Sequence, residues 1–157
     1  MSSDPAFQIR RMLAADIGRV MEIAAGLEHA PRWPQSTYTS ALATEAVPRR
    51  ICLVAEDSES SGVAAFAVAS LIGPQAELES IAVAAAHQRR GMARRLFAAL
   101  LAEFEAAGVT EVLLEVRASS LPALRLYLSL GFTETGRRPG YYADPVEDAI
   151  LLGLRLG

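Results

Sequence analysis

The stretch from Leu78 to Phe104, LESIAVAAAHQRRGMARRLFAALLAEF, restricts what this chain can become more than any other. An apolar strand candidate, Leu78 to Val83, runs into a polar turn at His87-Gln88-Arg89-Arg90, and Gly91 opens a helical pattern. Met92, Leu96, Leu100 and Phe104 recur at every fourth position, with Ala93, Phe97 and Leu101 broadening the face. A strand that enters a helix through a glycine turn leaves backbone N–H groups free at the helix N-terminus, where the helix dipole adds partial positive charge. Such a place suits a phosphate or a diphosphate. The pattern has too few glycines for the dinucleotide fingerprint and lacks the Gly-Lys-Ser/Thr ending of a Walker loop. The residues alone leave two readings open: an anion site, or an ordinary helix start whose arginines face solvent.

The remaining pattern fills in a fold. With 157 residues, 52% of them hydrophobic, the chain is expected to form one domain, residues 1–157, with a core that needs no metal or disulfide staple. Phe7 to Arg11 reads as a first strand. A helix follows with Ile17, Val20, Met21, Ala24 and Leu27 on one face. Pro31 and Pro34 bracket Trp33 in a loop, and a second helix starts near Ser36 or Thr37 and runs to Ala43–Ala46. Ile51–Glu56 and Val63–Leu71 read as a hairpin, and Glu77–Val83 as the next strand. Simple alternation on that strand puts Glu77, Glu79, Ile81 and Val83 on one face and Leu78, Ser80 and Ala82 on the other. Thr110–Val116 follows the long helix and is expected beside Glu77–Val83 in parallel. Ser120 and Pro122 open another helix, with Ala123, Leu126, Tyr127 and Leu130 on its face and Gly131 at its end. A strand begins at Phe132, Arg137-Arg138-Pro139-Gly140 reads as a turn, and Ala149–Leu156 is the last strand, pairing with the Phe132 strand. The order predicts an α+β fold: a mixed central sheet flanked by helices, with one parallel strand pair.

Charge and composition narrow the function. The net charge of −3 argues against a duplex-binding protein, and Arg89, Arg90, Arg94 and Arg95 form the largest basic cluster, beside the anion-site candidate. No nucleic-acid partner is expected. No segment is apolar and long enough to span a bilayer, Met1–Pro5 is polar and lacks the basic, apolar pattern of a signal, and Cys52 is alone, so a cytoplasmic protein without a membrane partner is expected. His29, His87 and Cys52 lack metal-ligand spacing, so no metal is expected. Ser119 and Ser120 lack the nucleophile-elbow signature. Glu115 interrupts the apolar run Val112–Val116, and a carboxylate there must reach water or find a partner such as Arg117. Tyr127, taken alone, is an aromatic on an amphipathic helix.

Gln88-Arg89-Arg90-Gly91-Met92-Ala93 resembles the acetyl-coenzyme A pyrophosphate loop of the GNAT N-acetyltransferases, Q/R-x-x-G-x-G/A, through Gln88, Gly91 and Ala93. Downstream, Leu114–Ser119, Ala123, Leu126-Tyr127, Leu130-Gly131-Phe132 and Tyr141-Tyr142 are similar to the bacterial ribosomal-protein-alanine N-acetyltransferases of the RimI type. The resemblance is close from Leu78 to the C-terminus and loose before it. It implies a GNAT-like sheet whose parallel pair splays around acetyl-CoA, with Ile81, Ala82 and Val83 along the pantetheine arm. Gln88 and the backbone from Arg89 through Arg90, Gly91 and Met92 to Ala93 would hold the diphosphate. Glu115 would be the general base, with Glu79 in reserve as base or substrate contact, and Tyr127 the acid that protonates the coenzyme A sulfur. Trp33, Tyr141 and Tyr142 would line the acceptor groove. Ser120 stands where related enzymes carry an asparagine that contacts the cofactor arm, and serine offers fewer hydrogen-bonding groups. The implied acceptor is a protein N-terminal amine, with the N-terminal alanine of a ribosomal protein as the family expectation. Two rivals remain: an acetyltransferase for a small-molecule amine, and a non-catalytic acyl-CoA-binding regulatory module. Nothing in the residues speaks to oligomeric state.

Overall fold

A computed structural model describes residues 7–27, 30–60 and 62–157. The strands are β1 (Phe7–Arg11), β2 (Arg49–Asp57), β3 (Val63–Ile72), β4 (Gln75–Val83), β5 (Glu111–Arg117), β6 (Thr133–Tyr142) and β7 (Glu147–Arg155). The helices are α1 (Ile17–Ala25), α2 (Gln35–Ala41), α3 (Met92–Ala106) and α4 (Leu121–Ser129). One seven-stranded sheet has the order β1-β2-β3-β4-β5-β7-β6. Its neighbours run antiparallel except β4 and β5, so the sheet is mixed and the fold α+β, as the pattern predicted. The last strand does close a hairpin with the strand after Phe132.

Both faces of the sheet carry cores. On one, Met92, Leu96, Phe97, Leu100 and Phe104 of α3 meet Leu53, Leu78, Val112, Leu114 and Leu152. On the other, Val20 and Ile23 of α1 and Tyr38 of α2 meet Val54, Phe66 and Val68. β3 lies between two strands and under helices on both sides, which is why eight consecutive residues, Val63–Ser70, are buried. Full burial of one leucine removes enough apolar area to contribute roughly 1.5–3 kcal/mol, so the α3 row alone is a large share of what holds β4 and β5 in place.

Three sequence expectations change. First, the alternation expected along β4 fails. Val68 pairs with Ser80 and Ala69 with Leu78, so Glu79 is an extra, bulged residue. Leu78 therefore shares the α3 side with Ile81 and Val83, while Ala82 belongs to the α1–α2 side. Second, Arg137–Gly140 is no turn: β6 continues through Tyr142, and the chain reverses between Tyr142 and Glu147. β6 is an edge strand, where Pro139 can stand without a ladder donor. Gly140, at φ +61°, sits within a register shift, and its N–H is taken by Asp148 Oδ1 at 2.9 Å. Third, α2 starts at Gln35 and stops at Ala41, short of the expected Ala43–Ala46.

Candidate active site

β4 and β5 are hydrogen-bonded only at Gln75↔Glu111, Ala76↔Val112 and Glu77↔Leu113. Beyond Glu77 the two strands part, while each keeps its outer neighbour: β4 stays on β3 to Val83, and β5 on β7 to Arg117. The bulge at Glu79 lies where the parting begins, and a bulge bends its strand and increases twist. The result is a wedge walled by unpaired backbone of Leu78–Val83 on one side and Leu114–Arg117 on the other. Free N–H and C=O groups on such an edge can pair with an extended amide-bearing ligand.

Two connected cavities occupy the wedge. The first, about 680 Å³, is lined by Glu79, Ile81 and Ala82 of β4, Glu115 and Arg117 of β5, and Ser120 and Tyr127 of the following segment. Tyr142 of β6 and Leu27, Pro31 and Arg32 from the region between α1 and α2 close its rim. The second, about 440 Å³, runs along Ile81, Ala82 and Val83 to Gln88, Arg89, Gly91, Met92 and Ala93, with Arg94 and Tyr127 also on its wall. Ile81, Ala82 and Tyr127 border both spaces.

The second cavity ends at the start of α3. Arg89 and Gly91 have φ of +66° and +78°, and Gly91 is the residue that caps the helix. Positive φ at Gly91 turns the chain into the helix, a conformation that costs an L-residue roughly 1–2 kcal/mol. The Gln88 side chain donates to the Val83 carbonyl at 3.1 Å, which ties the loop back to the strand it leaves. The initial N–H groups of α3 have no acceptor within the helix. Arg90 does not line the cavity; its guanidinium lies 3.5 Å from Asp57. Of the other arginines in the cluster, Arg94 donates to Ser129 Oγ at 2.9 Å and Arg95 stacks 5.0 Å from the Phe7 ring.

The first cavity brings Glu115 and Tyr127 to one space. Glu115 is partly exposed and stands 3.4 Å from Arg138 of β6, not from Arg117. Arg117 instead pairs with Glu147 at 3.2 Å and lies 4.3 Å from the centre of the Tyr142 ring, holding that ring at the rim. Tyr127 packs edge-on against Phe132, with ring centres 5.9 Å apart. Desolvation, then the neighbouring Tyr142, pushes its phenol up to about 12. Glu79 is engaged: Arg50 Nε and Nη2 donate to its two carboxylate oxygens at 2.7 and 3.2 Å. Ser120 is buried and caps α4 in position, but its side chain makes no capping hydrogen bond. Trp33 does not line the cavity; it stacks 5.2 Å from Tyr38, with Arg50 5.9 Å from its ring. Tyr141 is largely exposed beside Tyr142, and the charge of Glu115 raises its phenol.

The sequence reading passed over Glu77. It shares a face with Glu79 and Glu115, and desolvation first, then those two charges, raises its carboxyl. It lies with Glu115, Leu113 and Arg138 around a third cavity of about 280 Å³. The alternation of β4 before the bulge carried that signal. Among the described residues, no group of His, Cys, Asp or Glu side chains is arranged to hold a metal ion.

The comparisons with known proteins agree with this geometry. The acetyltransferase (GNAT) family profile matches residues 19–132. The [ribosomal protein bS18]-alanine N-acetyltransferase of Escherichia coli K12 is 37% identical over 128 residues, which are 80% of this chain and 82% of that one. The crystal structure of the ribosomal-protein-S18-alanine N-acetyltransferase from Escherichia coli superposes with a TM-score of 0.82 at 33% identity, covering 96% of this chain and 94% of that one. The structure of Ard1 from Thermoplasma volcanium superposes at 0.84 with 25% identity, covering 97% and 99%.

Proposed function

The chain belongs to the acetyltransferase (GNAT) family, and from that premise we propose that it moves the acetyl group of acetyl-CoA to the free α-amine of a protein N-terminus. The N-terminal alanine of a ribosomal protein is the proposed acceptor. The 37% identity to the Escherichia coli bS18-alanine enzyme across four-fifths of both chains carries this reading. The wedge supports it. Acetyl-CoA has an extended arm with two amides, which suits the unpaired edges of β4 and β5. Its diphosphate suits the N–H groups from Arg89 to Ala93.

The reaction needs no covalent enzyme intermediate, because the thioester is already activated. Glu115 takes a proton from the acceptor ammonium, through a water molecule. The amine nitrogen attacks the thioester carbon, the C–N bond forms, and the C–S bond breaks. Tyr127 meets the departing sulfur. A phenol at about 12 keeps its proton throughout the neutral range, but it is a weaker acid than a thiol of ordinary pKa, near 8.5. Tyr127 therefore acts first as a hydrogen-bond donor to the thiolate. As the acylated nitrogen gives up its second proton through water to the Tyr127 oxygen, Tyr127 passes its own proton to the sulfur; the products are the amide and the free thiol, the phenol is restored, and Glu115 returns its proton to solvent. Glu79, tied by Arg50, serves the acceptor side by charge and shape.

The test is thiol release from acetyl-CoA with short peptides of free or blocked N-terminus and with common small amines. The expected result is turnover on free Ala-starting peptides that disappears on blocking. Turnover confined to small amines overturns the acceptor, and no turnover with any amine overturns the enzyme reading.

A further inference from the structure

Behind the phosphate-binding candidate lies a second set of charged contacts that the reaction does not use. Asp57 ends β2 and opens the turn to β3, and it is only 5% exposed. One carboxylate oxygen accepts from the Glu59 N–H at 3.1 Å, within the same turn. The other reaches past the end of β3 to the loop that follows β4, to His87 Nε2 at 3.0 Å and Arg90 Nη1 at 3.5 Å. His87 and Arg90 flank Gln88 and Arg89 on either side. Arg89, a residue with a Cβ, is held at φ +66° between them, and Gly91 at +78° follows. Non-glycine residues avoid that region without support from their surroundings. The other ring nitrogen of His87, Nδ1, is buried with no partner among the described residues, so Asp57 provides the ring's polar anchorage.

We propose that Asp57 is a positioning residue for donor binding: by holding His87 and Arg90 from the β2–β3 turn, it fixes the Arg89–Gly91 backbone in the conformation whose N–H groups receive the diphosphate of acetyl-CoA. This rests on the acetyl-CoA reading above. Asp57 touches neither reactant and acts through the loop alone. Its carboxylate carries a charge of the wrong sign for a phosphate neighbour, and neither it nor His87 or Arg90 lines either cavity of the wedge. The Glu59 N–H first, then His87 and Arg90, hold its carboxyl below the usual range, so it stays ionised at neutral pH.

The experiment separates positioning from general damage by comparing two donors. Acetyl-CoA has the diphosphate, and acetyl-pantetheine has the same thioester and arm without it. In Asp57→Ala, the KM for acetyl-CoA should rise about tenfold, the scale of a small misplacement of binding groups, with kcat little changed. Its kcat/KM for acetyl-pantetheine should equal that of the unaltered enzyme. Coenzyme A affinity, measured by calorimetry, should weaken in parallel. His87→Ala leaves the Asp57–Glu59 turn contact in place and should show the same split, which covers the case of a poorly folding Asp57→Ala. An unchanged KM and coenzyme A affinity, or equal losses on both donors, would overturn the proposal. Coenzyme A binding that weakens in a protein releasing no thiol from acetyl-CoA would support the anchor while overturning the catalytic reading.

Discussion

At the scale of single residues, the proposed chemistry rests on two side chains that environment has made different. Glu115 stands beside Arg138, open to the cavity, whereas Tyr127 is set deep against Phe132 with its phenol at about 12. Tyr127→Phe removes only an O–H. It should lower kcat about a hundredfold or more, the usual scale for a proton-transfer group, and leave the KM for acetyl-CoA nearly unchanged in steady-state assays. Glu115→Gln should lose a similar factor at pH 7. The loss should shrink as pH rises toward the acceptor's own pKa near 8, because the amine then arrives deprotonated and needs no base; a pH-independent defect would remove Glu115 from that role. For Tyr127 the sign is fixed by its raised pKa. The protonated form is favoured, so no decline in rate assigned to this phenol should occur across the neutral and mildly alkaline range.

Elements set where those residues meet. α3 is capped at its C-terminus by Ala107, and Gly108 follows at φ +80°. The Val109 N–H returns to the Phe104 carbonyl at 2.9 Å and the Gly108 N–H to Glu105 at 3.2 Å, a Schellman arrangement with Val109 and Phe104 both buried. A Cβ added at Gly108 would meet nothing within 4 Å, so Gly108→Ala isolates backbone strain. It should cost about 1 kcal/mol, read as a fall in the urea midpoint with an unchanged slope. The same helix was fully legible in the sequence, since its apolar row repeats with the helical period. The bulge at Glu79 was not. Two residues against one on the partner strand is a property of the β3–β4 register, and alternation within β4 holds no record of it. β6 was misread for a related reason. Arg-Arg-Pro-Gly is turn-like composition, and only the placement of β6 at the sheet edge makes it a strand.

Across the whole molecule, one sheet with a core on each face carries the wedge between them. Leu100 is fully buried under that sheet. Leu100→Ala should therefore destabilise by about 2–5 kcal/mol in equilibrium unfolding, more than any surface change. Stability should also fall in acid. Asp16 accepts from Arg10 at 2.8 and 3.0 Å and from the Leu13 N–H at 2.7 Å, which pins β1 to the start of α1. Arg10 first, then the Leu13 N–H, hold its carboxyl below the ordinary value of 3.8, against the opposing effect of burial. A carboxyl lowered on folding stabilises above its unfolded pKa and loses that contribution as pH falls through the folded one. Asp16→Asn should therefore lower the melting temperature at pH 7, and the difference from the unaltered protein should shrink as pH falls through the lowered folded pKa of Asp16.

Local pattern by itself determined much of this protein. The helical period of α3, the glycine turn before it, the strands on either side and the motif from Gln88 to Ala93 are all written in short-range spacing, because each depends on neighbours a few positions apart. So are the positions of Glu115 and Tyr127 on their elements. What the tertiary structure alone decided is which groups share a space. β4 and β5 part after Glu77, Glu79 is taken by Arg50, Arg138 rather than Arg117 reaches Glu115, and Asp57 crosses to His87 and Arg90. These contacts join residues between 23 and 33 positions apart, such as Arg50 with Glu79 and Asp57 with Arg90. Their geometry follows from sheet order and register, which arise when the two cores close around the sheet.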